Sequence, residues 1–296
     1  MKVLITGGAG FIGSALAKEL NKRHDVTLLD LKDRWSDIHS EFKKVSADIR
    51  DYSTFEQLDT DFDCVFHLAA QAGGFGSLED PTHDCDVNAK GTLNVVRFCE
   101  NGGSKKIVYT SSVAVYGEAE NVVEDDPVNP ISYYSVSKLT GEYYVKTMVN
   151  TEWSIVRLFN AYGVGQGLDD TQQGMLRIFL YQALNNDDSI KVKGSLDRVR
   201  DFVHVKDIVS AFEICLSDKT NSNIFNVCSG ESINVKGLLD IITKSVNKQL
   251  PYEIIDSYFG DQFCLTGNNS KLRSFGWSPK VKLEDGIKEY IEYATK

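Results

Sequence analysis

The sequence predicts an α/β protein in which a doubly wound parallel sheet is followed by a smaller α/β C-terminal lobe. Short apolar runs alternate with helix-like stretches through the first half of the chain, and a glycine-rich turn separates the first run from the first helix-like stretch. Apolar strands that alternate with helices are typical of a parallel sheet covered on both faces. A length of 296 residues, 42% of them hydrophobic, allows one large domain or a domain with a smaller lobe.

The strands and helices of the first half follow from this alternation. Predicted helices cover residues 12–22, 53–59, 84–101 and 132–149. The predicted strands are short runs rich in apolar and β-branched residues: Lys2–Thr6, Val26–Asp30, Lys44–Ala47, Cys64–His67, Lys106–Thr110 and Ser154–Arg157.

The pattern changes after Asn160, where a glycine-rich stretch precedes a predicted helix around 172–185. Further helices are predicted over 206–217, 234–247 and 283–294, with strands near Ile190–Val192, Asp201–Val203 and Ile224–Val227. We therefore divide the chain into a domain over 1–165, to which it returns around 201–230, and a lobe formed mainly by 166–296. Because no long linker separates the two, we expect the lobe to pack on the domain.

Composition and charge exclude several classes of protein. The net charge of −10 and the scattered Lys and Arg residues argue against nucleic-acid binding. We expect no membrane span, because no apolar run is long enough, and no signal peptide, because a strand pattern follows Met1 directly. The six cysteines form no CxxC pair and read as reduced thiols of a cytoplasmic protein, so neither a disulfide set nor a metal site is expected.

The glycine-rich turn predicts a dinucleotide site. Gly7, Gly10 and Gly13 lie between the first strand and the first helix, where they permit a tight turn, close approach to a pyrophosphate and close helix packing. Asp30 ends the second strand, where its carboxylate could accept hydrogen bonds from the adenosine ribose hydroxyls and repel a 2′-phosphate. This favours NAD over NADP. Lys32 and Arg34 leave NADP open, and Asp30 could instead be an ordinary turn residue. The first domain is therefore predicted to be a Rossmann domain.

A tyrosine and a lysine four residues apart predict the chemistry. On a helix, Tyr134 and Lys138 would point the same way. A nearby cation lowers the pKa of a phenol toward the working range, which suits exchange of a proton with a sugar hydroxyl. The spacing alone is more often that of an ordinary amphipathic face, so its meaning depends on the other motifs.

Six ordered motifs of the first half resemble those of the extended short-chain dehydrogenase/reductase family, and in particular its NAD-dependent nucleotide-sugar epimerases and dehydratases. The resemblance is greatest to the UDP-glucose 4-epimerases and continues through most of the second half. The six motifs are Gly7-Gly-Ala-Gly-Phe-Ile-Gly13, Ala47-Asp-Ile-Arg50, His67-Leu-Ala-Ala70, Val87-Asn-Ala-Lys-Gly-Thr92, Thr110-Ser-Ser-Val-Ala-Val-Tyr-Gly117 and Tyr134-Ser-Val-Ser-Lys138.

The resemblance implies a set of NAD-binding residues. Asp48 and Ile49 would flank the adenine, although Asp48 could also be a helix N-cap. Asn88 would support the sheet and a water near the active site, although a capping or packing role is an alternative. The full implied set is Gly7, Gly10, Phe11, Ile12, Gly13, Asp30, Asp48, Ile49, Leu68, Ala69, Ala70, Asn88, Ser111, Tyr134 and Lys138.

The stretch after Ser112 discriminates between reactions. The family's 4,6-dehydratases carry Asp-Glu at the positions of Val113 and Ala114, and decarboxylases carry a Glu there, whereas neither residue here can exchange a proton. Ser112, Tyr134 and Lys138 remain as catalytic residues, enough for reversible oxidation of an alcohol. The expected activity is therefore that of an isomerase: inversion of C4 of a nucleoside-diphosphate hexose, of the UDP-glucose/UDP-galactose type, through a 4-keto intermediate.

Two alternatives stay open at this point. An NAD(P)H-dependent nucleotide-sugar 4-ketoreductase needs the same three catalytic residues, and Asp30 weighs against it. A non-catalytic NAD-sensing protein on the same fold is the other, and the intact catalytic set argues against that.

The expected substrate-binding residues are implied by the resemblance as well. Asn160 and Arg200 would bind the diphosphate of a nucleoside-diphosphate sugar, and Ser112 the sugar itself. Alternatively, Asn160 is an ordinary turn residue and Arg200 pairs with a neighbour such as Asp201. One departure stands out: the family's Arg-x-Gly-Asp/Glu motif corresponds to Tyr258-Phe-Gly-Asp261, with Tyr258 in the arginine's place. The Tyr258 hydroxyl could hold a substrate phosphate there instead. The resemblance also implies a homodimer formed through the helices near 84–101 and 132–149. His67 and His204 are interpreted as structural.

Overall fold

The structure, a computed structural model, describes residues 1–168, 174–185, 188–256 and 262–295. Its main sheet has seven parallel strands in the order β11-β7-β5-β4-β1-β2-β3. These strands are β1 (Lys2–Thr6), β2 (Asp25–Asp30), β3 (Lys43–Ser46), β4 (Cys64–His67), β5 (Lys106–Ser112), β7 (Glu152–Leu158) and β11 (Asn223–Val227). The strand order reverses beside β1, and ligands of such sheets bind at this point, outside the carboxyl ends of the strands.

Helices cover both faces of this sheet, which confirms the predicted doubly wound fold. Alternate side chains of β1 point to opposite faces: Val3 and Ile5 pack in one core and Leu4 in the other. The first core includes side chains of the neighbouring helices α1 (Phe11–Leu20) and α7 (Val205–Ile214). The second includes side chains of α4 (Thr92–Phe98) and α5 (Tyr133–Lys146), which also contact each other.

Several helices differ from their predicted form. The segment predicted as a helix over 53–59 is a 3₁₀ turn over Tyr52–Gln57, capped by Asp51 rather than by Asp48. The stretch predicted over 84–101 alternates α and π turns, because α4 is flanked by π segments at Cys85–Gly91 and Cys99–Gly103. Before it lie two short helices without a counterpart in the prediction, α2 (Gly74–Glu79) and α3 (Pro81–Asp84).

The C-terminal lobe has its own core and its own strands. Its larger sheet has the order β12-β10-β14-β6, with β8 paired to β10, and β9 pairs with β13. The strands are β6 (Ala119–Val122), β8 (Asn160–Tyr162), β9 (Ile190–Lys193), β10 (Val199–His204), β12 (Ser232–Asn234), β13 (Tyr252–Ile255) and β14 (Cys264–Gly267). The helices are α6 (Met175–Asn185), α8 (Val235–Ser245) and α10 (Leu283–Ala294), whereas α9 (Ser270–Ser274) packs on β11 of the main sheet. Between β10 and β12 the chain returns to the main sheet as β11; the boundary at residue 165 stays a prediction.

The described ranges contain neither a candidate membrane span nor a candidate metal site. None of the helices there is long and apolar enough to cross a membrane. No group of three His, Cys, Asp or Glu residues is placed there to hold a metal ion. All six cysteines are free thiols; four are buried, Cys264 is half-buried and Cys85 is exposed.

Candidate active site

The glycine-rich turn is held by contacts that leave no room for side chains. Gly7 has a φ of +71°, and a Cβ atom there would lie 2.6 Å from the Ala69 nitrogen. A Cβ at Gly13 would lie 2.1 Å from the Gly7 carbonyl oxygen. The turn therefore packs against both the loop after β4 and the first turn of α1, as a dinucleotide-binding turn requires.

A cleft of ≈ 280 Å³ opens between this turn and the ends of β2 and β4. Asp30 lies in its lining, and its carboxylate accepts hydrogen bonds from the Ala9 nitrogen at 2.9 Å and the Leu31 nitrogen at 2.8 Å. Each oxygen keeps a lone pair for a further donor, such as a ribose hydroxyl. The side-chain-free turn and this oriented carboxylate fit the adenosine diphosphate half of NAD.

The cleft brings together eight of the residues predicted to bind the cofactor: Gly7, Gly10, Asp30, Asp48, Ile49, Leu68, Ala69 and Ala70. Phe11, Ile12 and Gly13 form the start of α1 instead. Among the lining residues that sequence reasoning missed are Arg50 and His83. Arg50 binds the Asp48 carboxylate through Nε at 3.0 Å and Nη2 at 2.6 Å, which lowers the pKa of Asp48. Arg50 is the last residue of the motif Ala47-Asp-Ile-Arg50, and its membership of that motif was an available signal that it lines the cleft.

The predicted catalytic residues meet where β5 ends beside α5. Ser132 begins α5 with a reciprocal cap: its Oγ accepts from the Ser135 nitrogen at 3.2 Å, and its own nitrogen donates to the Ser135 Oγ at 2.9 Å. This start places Tyr134 and Lys138 on one face of the helix. Ser112 is the last residue of β5, and its hydroxyl lies near enough to Tyr134 to favour the ionised phenol.

The electrostatics of this pair differ from the sequence expectation. In the protein alone, burial raises the pKa of Tyr134, and only the nearby Ser112 hydroxyl acts to lower it. Burial lowers the pKa of Lys138 to about 7, opposed by the charges of Asp84 and Glu142. The spacing predicts that Lys138 lowers the pKa of Tyr134; in the protein alone it does not, because burial dominates and the ammonium lies over the Tyr109 ring.

Ser111 faces a buried ion pair. Its hydroxyl donates to Glu142 Oε1 at 2.6 Å, and Arg157 donates to the same carboxylate through Nε at 2.9 Å and Nη2 at 2.8 Å. Glu142 and Arg157 are almost inaccessible to solvent. Both were missed as site residues, although Glu142 follows Lys138 by one helical turn, which was an available signal.

Asn88 ties three elements together behind the catalytic residues. Its amide nitrogen donates to Asp84 Oδ1 at 2.9 Å and to the Ser137 Oγ at 3.2 Å. It also exchanges two hydrogen bonds with the backbone of Gln71. Sequence reasoning missed Asp84, a buried carboxylate at the end of α3.

The residues predicted to bind the substrate diphosphate are held by backbone groups in this structure. The Asn160 amide donates to the Asp201 carbonyl at 2.9 Å. Arg200 is buried, and its guanidinium donates to the carbonyl oxygens of Val199, Phe263 and Gln262. Tyr258 lies outside the described residues. The phosphate-binding roles of all three stay predictions.

His67 and His204, the two histidines interpreted as structural, are both buried and hydrogen-bonded to neighbouring residues. Both nitrogens of His67 contact threonine hydroxyls, Thr6 at 2.7 Å and Thr92 at 3.0 Å. Burial lowers the pKa of His67 to about 3, so the ring is neutral. His204 is buried and accepts from the Lys206 nitrogen at the start of α7.

Comparisons with known proteins agree with this geometry. A putative UDP-glucose 4-epimerase of Methanocaldococcus jannaschii is 34% identical over 98% of this chain and 97% of its own length. A dTDP-4-dehydro-6-deoxyglucose reductase of Escherichia coli is 30% identical over 98% of this chain and 96% of its own. The crystal structure of the Thermus thermophilus UDP-glucose 4-epimerase in complex with NAD superposes with a TM-score of 0.88 at 30% identity, covering 100% of this chain and 99% of that one.

The family itself is identified by a sequence model that matches residues 3–228, a range that includes the glycine-rich turn and all three catalytic candidates. The chain belongs to the NAD dependent epimerase/dehydratase family.

Proposed function

We propose that this enzyme inverts C4 of a nucleoside-diphosphate hexose, of the UDP-glucose/UDP-galactose type, through a 4-keto intermediate. The observation that carries the proposal is the meeting of Ser112, Tyr134 and Lys138 beside two residues without acid or base chemistry, Val113 and Ala114. The site has the groups for reversible oxidation of an alcohol and, at those two positions, lacks the carboxylate that elimination of water would need.

NAD, when bound, supplies the hydride acceptor and donor. Gly7, Gly10 and Asp30 would hold its adenosine diphosphate half, and Lys138 its nicotinamide ribose. The positive charge that this cofactor brings next to Tyr134 would offset the burial that raises the pKa of the phenol.

The reaction then needs only proton movements by this chain. Tyr134 takes the proton from the sugar 4-hydroxyl as C4 is oxidised, and Ser112 donates a hydrogen bond to the same oxygen. The 4-keto sugar turns over in the site and is reduced on its other face, while Tyr134 returns the proton. Net redox is zero, so bound NAD is regenerated in each turnover.

A screen of UDP-, GDP-, CDP- and dTDP-hexoses tests the proposal. We expect one hexose to be converted to its C4 epimer by the purified protein without added cofactor, detected by anomeric-proton NMR. Tyr134→Phe should lower kcat by at least ~10²-fold while retaining NAD. No inversion with any sugar, or near-normal activity of Tyr134→Phe, would contradict the proposal.

A nucleotide-sugar 4-ketoreductase is the second candidate, because one relative of similar identity is named a dTDP-4-dehydro-6-deoxyglucose reductase. Such an enzyme would consume one NAD(P)H for each sugar reduced. Stoichiometric cofactor oxidation with a 4-keto sugar, and no C4 inversion without added cofactor, would decide for this candidate.

We also propose that the chain forms a homodimer through α5. Tyr133, Val136 and Tyr143 lie at helical spacing and are 55%, 50% and 57% exposed, and Leu93 of the adjacent α4 is 36% exposed. A contiguous apolar face of this kind marks an interaction surface. Light scattering should give twice the monomer mass of 33.0 kDa, and Val136→Glu together with Tyr143→Glu should give the monomer.

A further inference from the structure

The buried carboxylate of Asp84 has no role in the reaction described above. Asp84 is 1% exposed and ends the single-turn helix α3, which packs against α5. Its Oδ1 accepts from Asn88, and the same amide contacts the hydroxyl of Ser137, the residue before Lys138. A carboxylate at this depth needs a cation to offset its lost hydration.

The neighbouring carboxylate already has such a cation. Glu142 is bound by two nitrogens of Arg157 and by the Ser111 hydroxyl, so its charge is neutralised within the core. Within the described ranges, Asp84 is in no salt bridge. Burial raises the pKa of Asp84, and the two cations that act against this are Lys138, which is 3% exposed, and His83, which is exposed.

Of the other groups that face Lys138, only Glu142 carries a negative charge that acts on it, and Arg157 already offsets that charge. Tyr109 of β5 lies under the ammonium, and burial raises its pKa well above the ordinary value. His67 of β4 is neutral at physiological pH, because burial lowers its pKa. On α5 itself, burial raises the pKa of Tyr134, and Glu142 is already paired with Arg157.

We propose that Asp84 is a positioning residue that acts as the buried counterion of Lys138, keeping the ammonium charged and in place at the catalytic site. It does so without touching substrate or cofactor. Its relevance to catalysis rests on the proposed function, whereas the coupling of the two charges is a property of the protein alone.

The direct test is the ionisation of Lys138 itself. NMR of protein labelled with ¹³Cε-lysine follows each ammonium, and the Lys138 signal is the one absent from Lys138→Met. Asp84→Asn removes the charge but keeps an oxygen for the Asn88 amide, so Lys138 should titrate at lower pH than in the wild type. The matched control Glu79→Gln removes an exposed carboxylate of α2 and should leave the titration unchanged.

The reciprocal titration keeps the proposal testable if Asp84→Asn does not fold. With ¹³Cγ-aspartate labelling, Asp84 should titrate at higher pH in Lys138→Met than in the wild type, because each charge stabilises the other. An unchanged Lys138 titration in folded Asp84→Asn, or an unchanged Asp84 titration in Lys138→Met, overturns the proposal.

Kinetics provide the functional readout once a substrate is identified. Asp84→Asn should move the alkaline limb of the kcat profile to lower pH, with kcat reduced about tenfold at mildly alkaline pH and KM little changed. Asp84→Glu, which restores the charge, should recover part of the loss. If no sugar is inverted, the proposed function fails, while the NMR titrations still decide whether Asp84 and Lys138 are coupled.

Discussion

The Lys138 ammonium lies 4.5 Å from the centroid of the Tyr109 ring, in the interior of the protein. The Tyr109 hydroxyl donates to the Lys138 backbone carbonyl at 3.1 Å, so this tyrosine contacts both ends of the lysine. A cation over an aromatic face is stabilised by the ring quadrupole, which compensates part of the hydration lost on burial. The catalytic lysine is therefore held by the strand under α5 as well as by its own helix.

Burial of this lysine predicts a pH-dependent cost in stability. Its pKa is about 7 in the folded protein and 10.5 when exposed, so between these values the unfolded chain binds a proton that the native chain does not. Stability therefore rises with pH across this window. Lys138→Met should gain most over the wild type near pH 7 and progressively less toward pH 10.5.

Urea unfolding at a series of pH values measures this difference. Lys90→Met, which removes an exposed lysine, is the control. Its free energy of unfolding should differ from that of the wild type by the same amount at every pH. A gain for Lys138→Met that does not vary with pH would mean that the buried amine is not the cause.

A glycine on α5 predicts how closely the helix must approach β5. A Cβ at Gly141 would lie 2.2 Å from the Tyr109 hydroxyl oxygen. Alanine is favoured over glycine in a helix by ~1 kcal/mol, so any loss in Gly141→Ala comes from packing. We expect a net loss of ~1–3 kcal/mol in the free energy of unfolding.

Gly74→Ala is the matched control, since nothing lies within 4 Å of a Cβ there, and it should be neutral or slightly stabilising. Thermal and urea unfolding compare the two variants. Equal stability of both would show that α5 can move away from Tyr109 at little cost.

The features that were predictable from sequence are local ones. The glycine-rich turn, the apolar runs of the first half and the spacing of Tyr134 and Lys138 each depend on residues close in the chain. They identify the doubly wound fold and the face of the helix that carries the catalytic pair. The strands that were missed, such as β8 and β12, are three residues long, and their pairing with β10 joins distant segments.

The parts of the site that were missed depend on contacts across the sheet. Glu142 and Arg157 lie on different elements, and nothing in either residue's neighbourhood indicates that they pair. The position of Lys138 over Tyr109 likewise follows from the packing of α5 on β5. Such contacts decide the pKa values, which is why the spacing of Tyr134 and Lys138 alone predicted the wrong cause for the ionisation of the tyrosine.

Two glycines of the turn predict separable effects on folding and cofactor binding. A Cβ at Gly13 would meet the Gly7 carbonyl at 2.1 Å, whereas one at Gly10 would lie 3.2 Å from it. Gly13→Ala should therefore lose both stability and NAD. Gly10→Ala should fold with near-normal stability and bind NAD more weakly, because its methyl group faces the cleft.

Calorimetric titration with NAD and thermal unfolding separate the two outcomes. Normal NAD affinity in Gly10→Ala would show that the pyrophosphate does not bind against Gly10 of the glycine-rich turn.

The ion pair of Glu142 and Arg157 predicts a large loss when one partner is removed. Glu142→Gln leaves the Arg157 charge buried without its carboxylate and should lower the free energy of unfolding by about 3–5 kcal/mol. The double variant Glu142→Leu with Arg157→Met removes both charges and should recover much of that loss, since neither buried charge then needs a partner. Urea unfolding of Glu142→Leu, Arg157→Met and the double variant gives the coupling between the residues. Additive losses would show that the two side chains stabilise the protein through other contacts.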